Sequence, residues 1–211
     1  QVGQGSSMSV DLDEYRAYIA AKAGQQVSHG FKSKAMPDAM KHHQRVAVDY
    51  ALDKGRAALF LETGLGKSLC ELEFARQCAE ETGKPSLILT PLAVAAQMVR
   101  EGHKFNIDAR QVREQSEVGA GIMVANYERL QKLDPSCFGA VVLDESSILK
   151  SFAGQTRTRL TEAFRDTPYR LAATATPSPN DHTELGNHAE FMGIMRQQEM
   201  LSKWFINDTS T

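Results

Sequence analysis

Tryptophan occurs once in this 211-residue chain, cysteine three times, and aromatic residues make up 7% of it. The cysteines, Cys70, Cys78 and Cys137, are odd in number and lack metal-ligand spacing. A disulfide framework and a zinc site are therefore excluded, and free thiols in a reducing compartment are expected. No apolar run is long enough to cross a bilayer and no signal peptide is visible, so a cytoplasmic protein without a membrane partner is expected. An excess of one charge is also missing. Lys and Arg number 24 against 26 Asp and Glu, a net charge of −2, so no global basic field advertises nucleic acid. A local basic groove remains compatible with that balance. The six histidines are scattered, and His182 and His188 near Glu184 do not make a convincing metal site. What is present is an ordinary globular composition, 42% hydrophobic and 24% charged, enough for one α/β domain with a small helical appendage.

Hydrophobic periodicity divides that domain into alternating strands and helices. A short helix is expected from Val10 to about Ala23, a polar loop over 25–34, and a helix from Pro37 to Lys54. The inward face of that second helix is read as Met40, His43, Ala47, Tyr50 and Ala51. Strands are expected at 57–61, 86–91, 111–113, 121–128, 140–143 and 169–174. Helices are expected behind the first strand (buried side Leu69, Leu72, Ala75, Ala79), over 93–104 and over 156–165, with helical spacing again in the tail from 182 to 205. Strands alternating with helices imply a mostly parallel sheet covered on both faces. Residues 1–7, ahead of Met8, read as a cloning remnant and 8–34 as an N-terminal helical extension. The main lobe is placed at 35–195 and a C-terminal helical tail at 196–211.

The most informative stretch is AALFLETGLGKS, residues 57–68. An apolar strand runs into a glycine-containing loop that opens a helix, the setting of a phosphate-cradling loop. Gly64 and Gly66 let backbone N–H groups of the Thr63–Ser68 segment turn toward an anion, and the helix N-terminus adds unpaired donors. Lys67 would reach the β- and γ-phosphates of ATP, and the Ser68 hydroxyl would ligate Mg²⁺. The pattern departs from G-x-x-x-x-G-K-[ST] at its first position, where Leu61 replaces glycine. AVVLDESS, residues 140–147, supplies the complementary acids at the end of another apolar strand. Asp144 is the candidate Mg²⁺ ligand and Glu145 the candidate for polarising the attacking water. An acidic pair at a helix N-terminus is the structural alternative.

The ordered series LETGLGKS, LILTPLAVAAQ, VANYERL, VLDESSILK and RLAATATPSPN resembles motifs I, Ia, Ib, II and III of superfamily-2 helicases. It is most similar to the Swi/Snf-like branch, with its D-E-x-H-x-x-K and T-G-T-P-x-x-N-x-x-x-E-L patterns. Lys150 falls on the first pattern; Thr174, Thr176, Pro177, Asn180, Glu184 and Leu185 fall on the second. The resemblance covers about residues 37–193 and implies a RecA-like P-loop NTPase lobe, ATP hydrolysis with Mg²⁺, and a DNA partner, duplex rather than single-stranded. Residue by residue, Gln44 resembles the glutamine whose amide bonds the adenine edge. His42 or His43 could flank the base, with a core-facing His43 preferred. Thr90, Pro91, Asn126 and Tyr127 match segments that touch nucleic-acid phosphates, strand-end capping being their alternative role. Lys150, Thr174 and Thr176 are carried over as coupling residues.

Three departures stand beside the likeness. Ser147 occupies the usual His or Asp position of motif II, Ala175 replaces the glycine of T-G-T-P, and the chain ends soon after Trp204 and Phe205. The second RecA-like lobe, with its arginine fingers, is therefore expected to lie outside these residues. Such a finger contributes about 10³ to 10⁵ in rate, so the lobe alone should be nearly inactive. A single-lobe nucleotide-binding regulatory module without turnover is the main alternative, and an unrelated small P-loop kinase or ATPase the other. The motif spacing suits a bacterial or phage source.

Overall fold

The computed structural model describes residues 12–23, 28–151, 154–177 and 185–205. The order is α1 (Leu12–Ala23), α2 (His42–Lys54), β1 (Arg56–Phe60), α3 (Lys67–Thr82), β2 (Ser86–Thr90), α4 (Ala95–Lys104), β3 (Ala109–Gln111), β4 (Ile122–Asn126), β5 (Ala140–Asp144), α5 (Ile148–Ser151), α6 (Gly154–Ala163), β6 (Tyr169–Thr174), α7 (Leu185–Phe191) and α8 (Gln197–Trp204). Among the described residues the sheet has six strands in the order β1-β6-β5-β2-β4-β3, every neighbouring pair parallel. The expected α/β architecture is what the chain adopts.

Period-two alternation explains the layering. Leu87, Leu89, Met123, Val141 and Leu143 point to one face, where they meet Leu149, Leu160, Phe164 and Phe191. Ile88, Val124, Val142 and Leu171 point to the other and pack against Val48, Leu52, Leu72 and Met98. Central strands buried on both faces leave no polar face, hence their unbroken apolar runs. Helices α2, α3 and α4 cover one side; α5, α6 and α7 cover the other.

Two expectations need correction. Helix α2 starts at His42 rather than Pro37, because 37–40 form a turn closed by Met40 N–H to the Pro37 carbonyl at 3.0 Å. Arg45 holds that turn, donating to the Met40 and Pro37 carbonyls. The inward face is accordingly Gln44, Val48, Ala51 and Leu52, while His43 and Tyr50 are exposed. The third strand lies at 109–111 instead of 111–113, although Val112 N–H still donates to the Val124 carbonyl at 2.9 Å. Residues 28–34, read as part of an N-terminal extension, lie against the main lobe. Phe31 N–H bonds the Leu52 carbonyl at 2.9 Å, its ring meets Tyr169 edge-on at 5.2 Å, and Lys34 N–H bonds Gln77 at 2.7 Å.

Candidate active site

Strand order decides where the chemistry gathers. β6 lies between β1 and β5, so the segments after all three emerge side by side at the C-terminal edge of the sheet. Crevices outside the carboxyl ends of parallel strands are where α/β sheets bind ligands. The ladder continues past the strand ends: Leu61 N–H donates to the Thr174 carbonyl at 3.2 Å and Ser146 N–H to the Ala173 carbonyl at 2.9 Å.

The loop after β1 is built around two left-handed glycines, Gly64 (φ 87°) and Gly66 (φ 77°). Gly66 caps α3, and no side chain caps that helix, so its first N–H groups keep their capacity for an anion. A Cβ on Gly66 would stand 2.1 Å from Gln44 Nε2, and the left-handed backbone there disfavours any side chain. Leu61 needs no such freedom. It is half-buried against the core and continues the pairing with β6, which explains how leucine replaces glycine there. Thr63, Gly64 and Leu65 are exposed, and Lys67 and Ser68 are half-buried at the start of α3. Gln44 holds the loop from below: its Nε2 donates to the Leu65 carbonyl at 2.9 Å and its Oε1 accepts from Lys41 N–H at 2.8 Å. One further N–H and one further lone pair remain on that amide. His43, expected in the core, instead stands on the surface with Nε2 3.2 Å from the same Leu65 carbonyl.

Lys67 meets both acids of the β5 end. Its Nζ lies 2.6 Å from Glu145 Oε1 and 3.2 Å from Asp144 Oδ1. Burial pulls the ammonium pKa down, but the Glu145 hydrogen bond and the charges of Asp144, Glu71 and Glu145 outweigh it and the net shift is upward. Asp144, nearly buried, is raised by desolvation against the pull of Lys67. Thr174 Oγ1 donates to the other Glu145 oxygen at 3.3 Å and accepts from Thr176 N–H at 3.1 Å. Glu145 itself has φ 52°, a left-handed backbone that costs about 1–3 kcal/mol in a non-glycine residue and persists only where its surroundings enforce it.

Other residues singled out by motif face inward. Thr90 is fully buried and its hydroxyl bonds the Pro91 carbonyl at 3.0 Å. Asn126 is buried, and the buried Tyr127 donates its hydroxyl to the Asp144 carbonyl at 2.8 Å. The Thr90 and Tyr127 hydroxyls are thus engaged with backbone carbonyls, while the Asn126 side-chain oxygen is buried without a hydrogen-bond partner. Pro91 is half-buried and its neighbour Leu92 is exposed on the same loop. Lys150 sits in α5 with its side chain outside the described residues, as are Asn180, His182 and Glu184.

Two features escaped the sequence reading. Glu71, one turn after Lys67, is fully buried with neither oxygen finding a donor. Burial first, then the Asp144 charge, push its pKa well above the ordinary carboxylate value. The i,i+4 spacing from Lys67 was the available signal, since it places both on one helix face. The second is a bond between Ser146 Oγ and His188 Nε2 at 3.0 Å, both buried. No local pattern links residues 42 positions apart.

The donor set fits Mg²⁺ in one specific way. Among the described residues no group of three or more His, Cys, Asp or Glu could hold a metal by itself. Mg²⁺ commonly rests on one or two protein oxygens and completes its shell with phosphate and water. Asp144, 3.2 Å from the Lys67 ammonium, and Ser68, the next residue of an uncapped helix start, match that chemistry.

No protein-family model matches the chain, and no curated protein matches it in sequence. Solved structures do match. The SWI2/SNF2 ATPase core domain of Sulfolobus solfataricus aligns with TM-score 0.64 and 21% identity over 83% of this chain and 42% of that one. The UvsW helicase of bacteriophage T4 aligns with TM-score 0.62 and 17% identity over 84% and 65%. The fold is RecA-like. The Sulfolobus ATPase core in complex with double-stranded DNA is similar as well, with TM-score 0.60 and 20% identity over 84% of this chain and 40% of that one. The chain thus spans less than two thirds of the length of each of these structures.

Proposed function

We propose that this chain is the first ATP-binding lobe of a nucleic-acid-dependent ATPase that moves along DNA, duplex in preference to single-stranded. The observation that carries the reading is the convergence of Lys67, Asp144, Glu145 and Thr174 at one crevice beside the loop 63–68. The loop N–H groups and Lys67 bind the triphosphate, and Gln44 offers its remaining amide groups to the adenine. Ser68 and Asp144 hold Mg²⁺, which when bound neutralises charge on the phosphates. Lys67 now neutralises Glu145 directly. A triphosphate competes for that ammonium, leaving the Glu145 carboxylate, steadied by Thr174, to accept a proton from the attacking water. The exposed loop around Leu92 and the segment from Thr176 lie on the same edge and offer the nucleic-acid side of the site. Lys150 is assigned there by motif position. A second lobe, contributed by residues beyond this sequence, supplies the remaining transition-state charge.

The test is nucleotide binding and steady-state hydrolysis in the intact two-lobe protein. Lys67→Ala should weaken ATP binding at least about tenfold, because a charge-assisted phosphate contact is lost. Glu145→Gln should leave binding within about threefold and lower turnover by about 10² or more. Duplex DNA should stimulate hydrolysis more than single strands, with stimulation declining steeply as salt rises. A fully active Glu145→Gln variant, or equal indifference to every nucleic acid, overturns the reading.

A further inference from the structure

The structure assigns His188 as a positioning residue for Glu145, acting through Ser146 from helix α7. The inference rests on the ATPase reading of the site. Glu145 must hold a left-handed φ of 52° to turn its carboxylate toward both Lys67 and Thr174. Such a conformation needs clamps on either side of it. On the upstream side, Asp144 closes the β5 ladder opposite Ala173, and its carbonyl receives the Tyr127 hydroxyl at 2.8 Å. On the downstream side, Ser146 is held three times: its N–H donates to the Ala173 carbonyl at 2.9 Å, its carbonyl accepts from Leu149 N–H at 3.0 Å, and its hydroxyl meets His188 Nε2 at 3.0 Å, the one bond made by its side chain. With the hydroxyl free to rotate, the downstream clamp keeps only its backbone bonds and loses its side-chain anchor to α7.

His188 is suited to hold a fixed point. Its ring packs edge-on against Phe60 at 5.5 Å, where β1 ends before the phosphate loop, and its carbonyl accepts from Met192 N–H at 2.9 Å. It therefore touches the ends of two of the three strands that build the crevice. The imidazole enters from α7, after the motif-III segment, and reaches motif II at Ser146. It supplies a link between those regions at a place where position 147, the usual His or Asp of the helicase pattern, is serine. Displacement of a catalytic group by about 1 Å can cost about 10²-fold in rate, so a clamp on the backbone beside Glu145 bears on turnover without touching nucleotide.

Two measurements test the assignment, one independent of catalysis. Hydrogen exchange of the Ser146 amide in the 211-residue chain should quicken about tenfold in His188→Leu, because the loop loses a buried bond, and return toward wild type in His188→Gln. In the two-lobe protein, His188→Leu and Ser146→Ala should each lower kcat about 10–100-fold while ATP affinity stays within about threefold. The double variant should be no worse than either single one, since both break the same bond. His188→Gln, whose amide can occupy the Nε2 position, should recover most of the turnover. Unchanged Ser146 exchange, an unaffected kcat in a folded His188→Leu protein, or loss of affinity in step with kcat overturns the assignment. A wild-type protein that neither binds nor hydrolyses ATP overturns the ATPase reading itself, and the exchange arm then reports separately whether His188 holds the loop.

Discussion

Buried charge dominates at the scale of single residues. Glu71, Asp144, Glu145 and Lys67 form one cluster in which a single ammonium faces three carboxyl groups. The Glu71 pKa rises well above its ordinary 4.5, driven by burial and then by the Asp144 charge. Between about 4.5 and that raised value the folded chain keeps a proton the unfolded chain has released, so stability falls as pH climbs through this window. Asp144 is raised too and adds to the same slope. Glu71→Gln should flatten the decline and raise the melting temperature at neutral pH, as thermal melts across pH in the presence of a chelator will show. A steeper decline in the variant would contradict the assignment of Glu71 as the proton holder. Position 66 gives a second prediction. Gly66→Ala should cost about 1–3 kcal/mol and impair nucleotide binding, because the added methyl meets Gln44 and the backbone has positive φ. Adding Gln44→Ala removes the clash but not the strain, so urea unfolding should recover only part of the loss.

At the scale of elements, one buried arginine ties strand to helix. Arg170, in β6, is 2% exposed and donates to the Thr167, Phe191 and Arg165 carbonyls. Burial pulls its guanidinium down to about 10, which still leaves it charged at neutral pH. The Phe191 carbonyl belongs to the last turn of α7, where a cation also complements the helix dipole. Arg170→Ala should destabilise the lobe by about 3 kcal/mol, since buried carbonyls lose their donor together. Arg56→Ala, which removes an exposed bond to the Pro168 carbonyl, should cost less than about 1 kcal/mol. A comparison of urea midpoints distinguishes the two. A similar network on the opposite face joins Glu73, Gln77 and Arg76 to residues 34 and 35, which is why the 28–34 segment packs as part of the lobe.

For the whole molecule, catalysis should depend on a partner lobe. In the proposed reading a second lobe covers the crevice at the strand ends, and charge compensation by an arginine finger is worth about 10³ to 10⁵ in rate. The two-lobe protein should accordingly hydrolyse ATP at least about 10³ times faster than the 211-residue chain, while the two bind nucleotide within about tenfold of each other. Comparable turnover by the isolated chain would favour a self-sufficient ATPase. Among the described residues no helix is long and apolar enough to cross a membrane.

Local pattern alone was enough for every strand but the third, and for the glycine loop that follows β1. β5 opens on the apolar run Ala140–Leu143, which suits a doubly covered parallel strand, and the 64–68 segment carries its backbone requirements in its glycines. The order of the strands came from tertiary structure, because placing β6 between β1 and β5 depends on which helices cross which face. That order brings Thr174 onto Glu145 and sets Ser146 against His188. Burial of polar groups was likewise invisible. Glu71, Glu73 and Arg170 look like solvent-facing charges in the sequence, since periodicity assigns charge to the outside, and only packing from several elements at once encloses them.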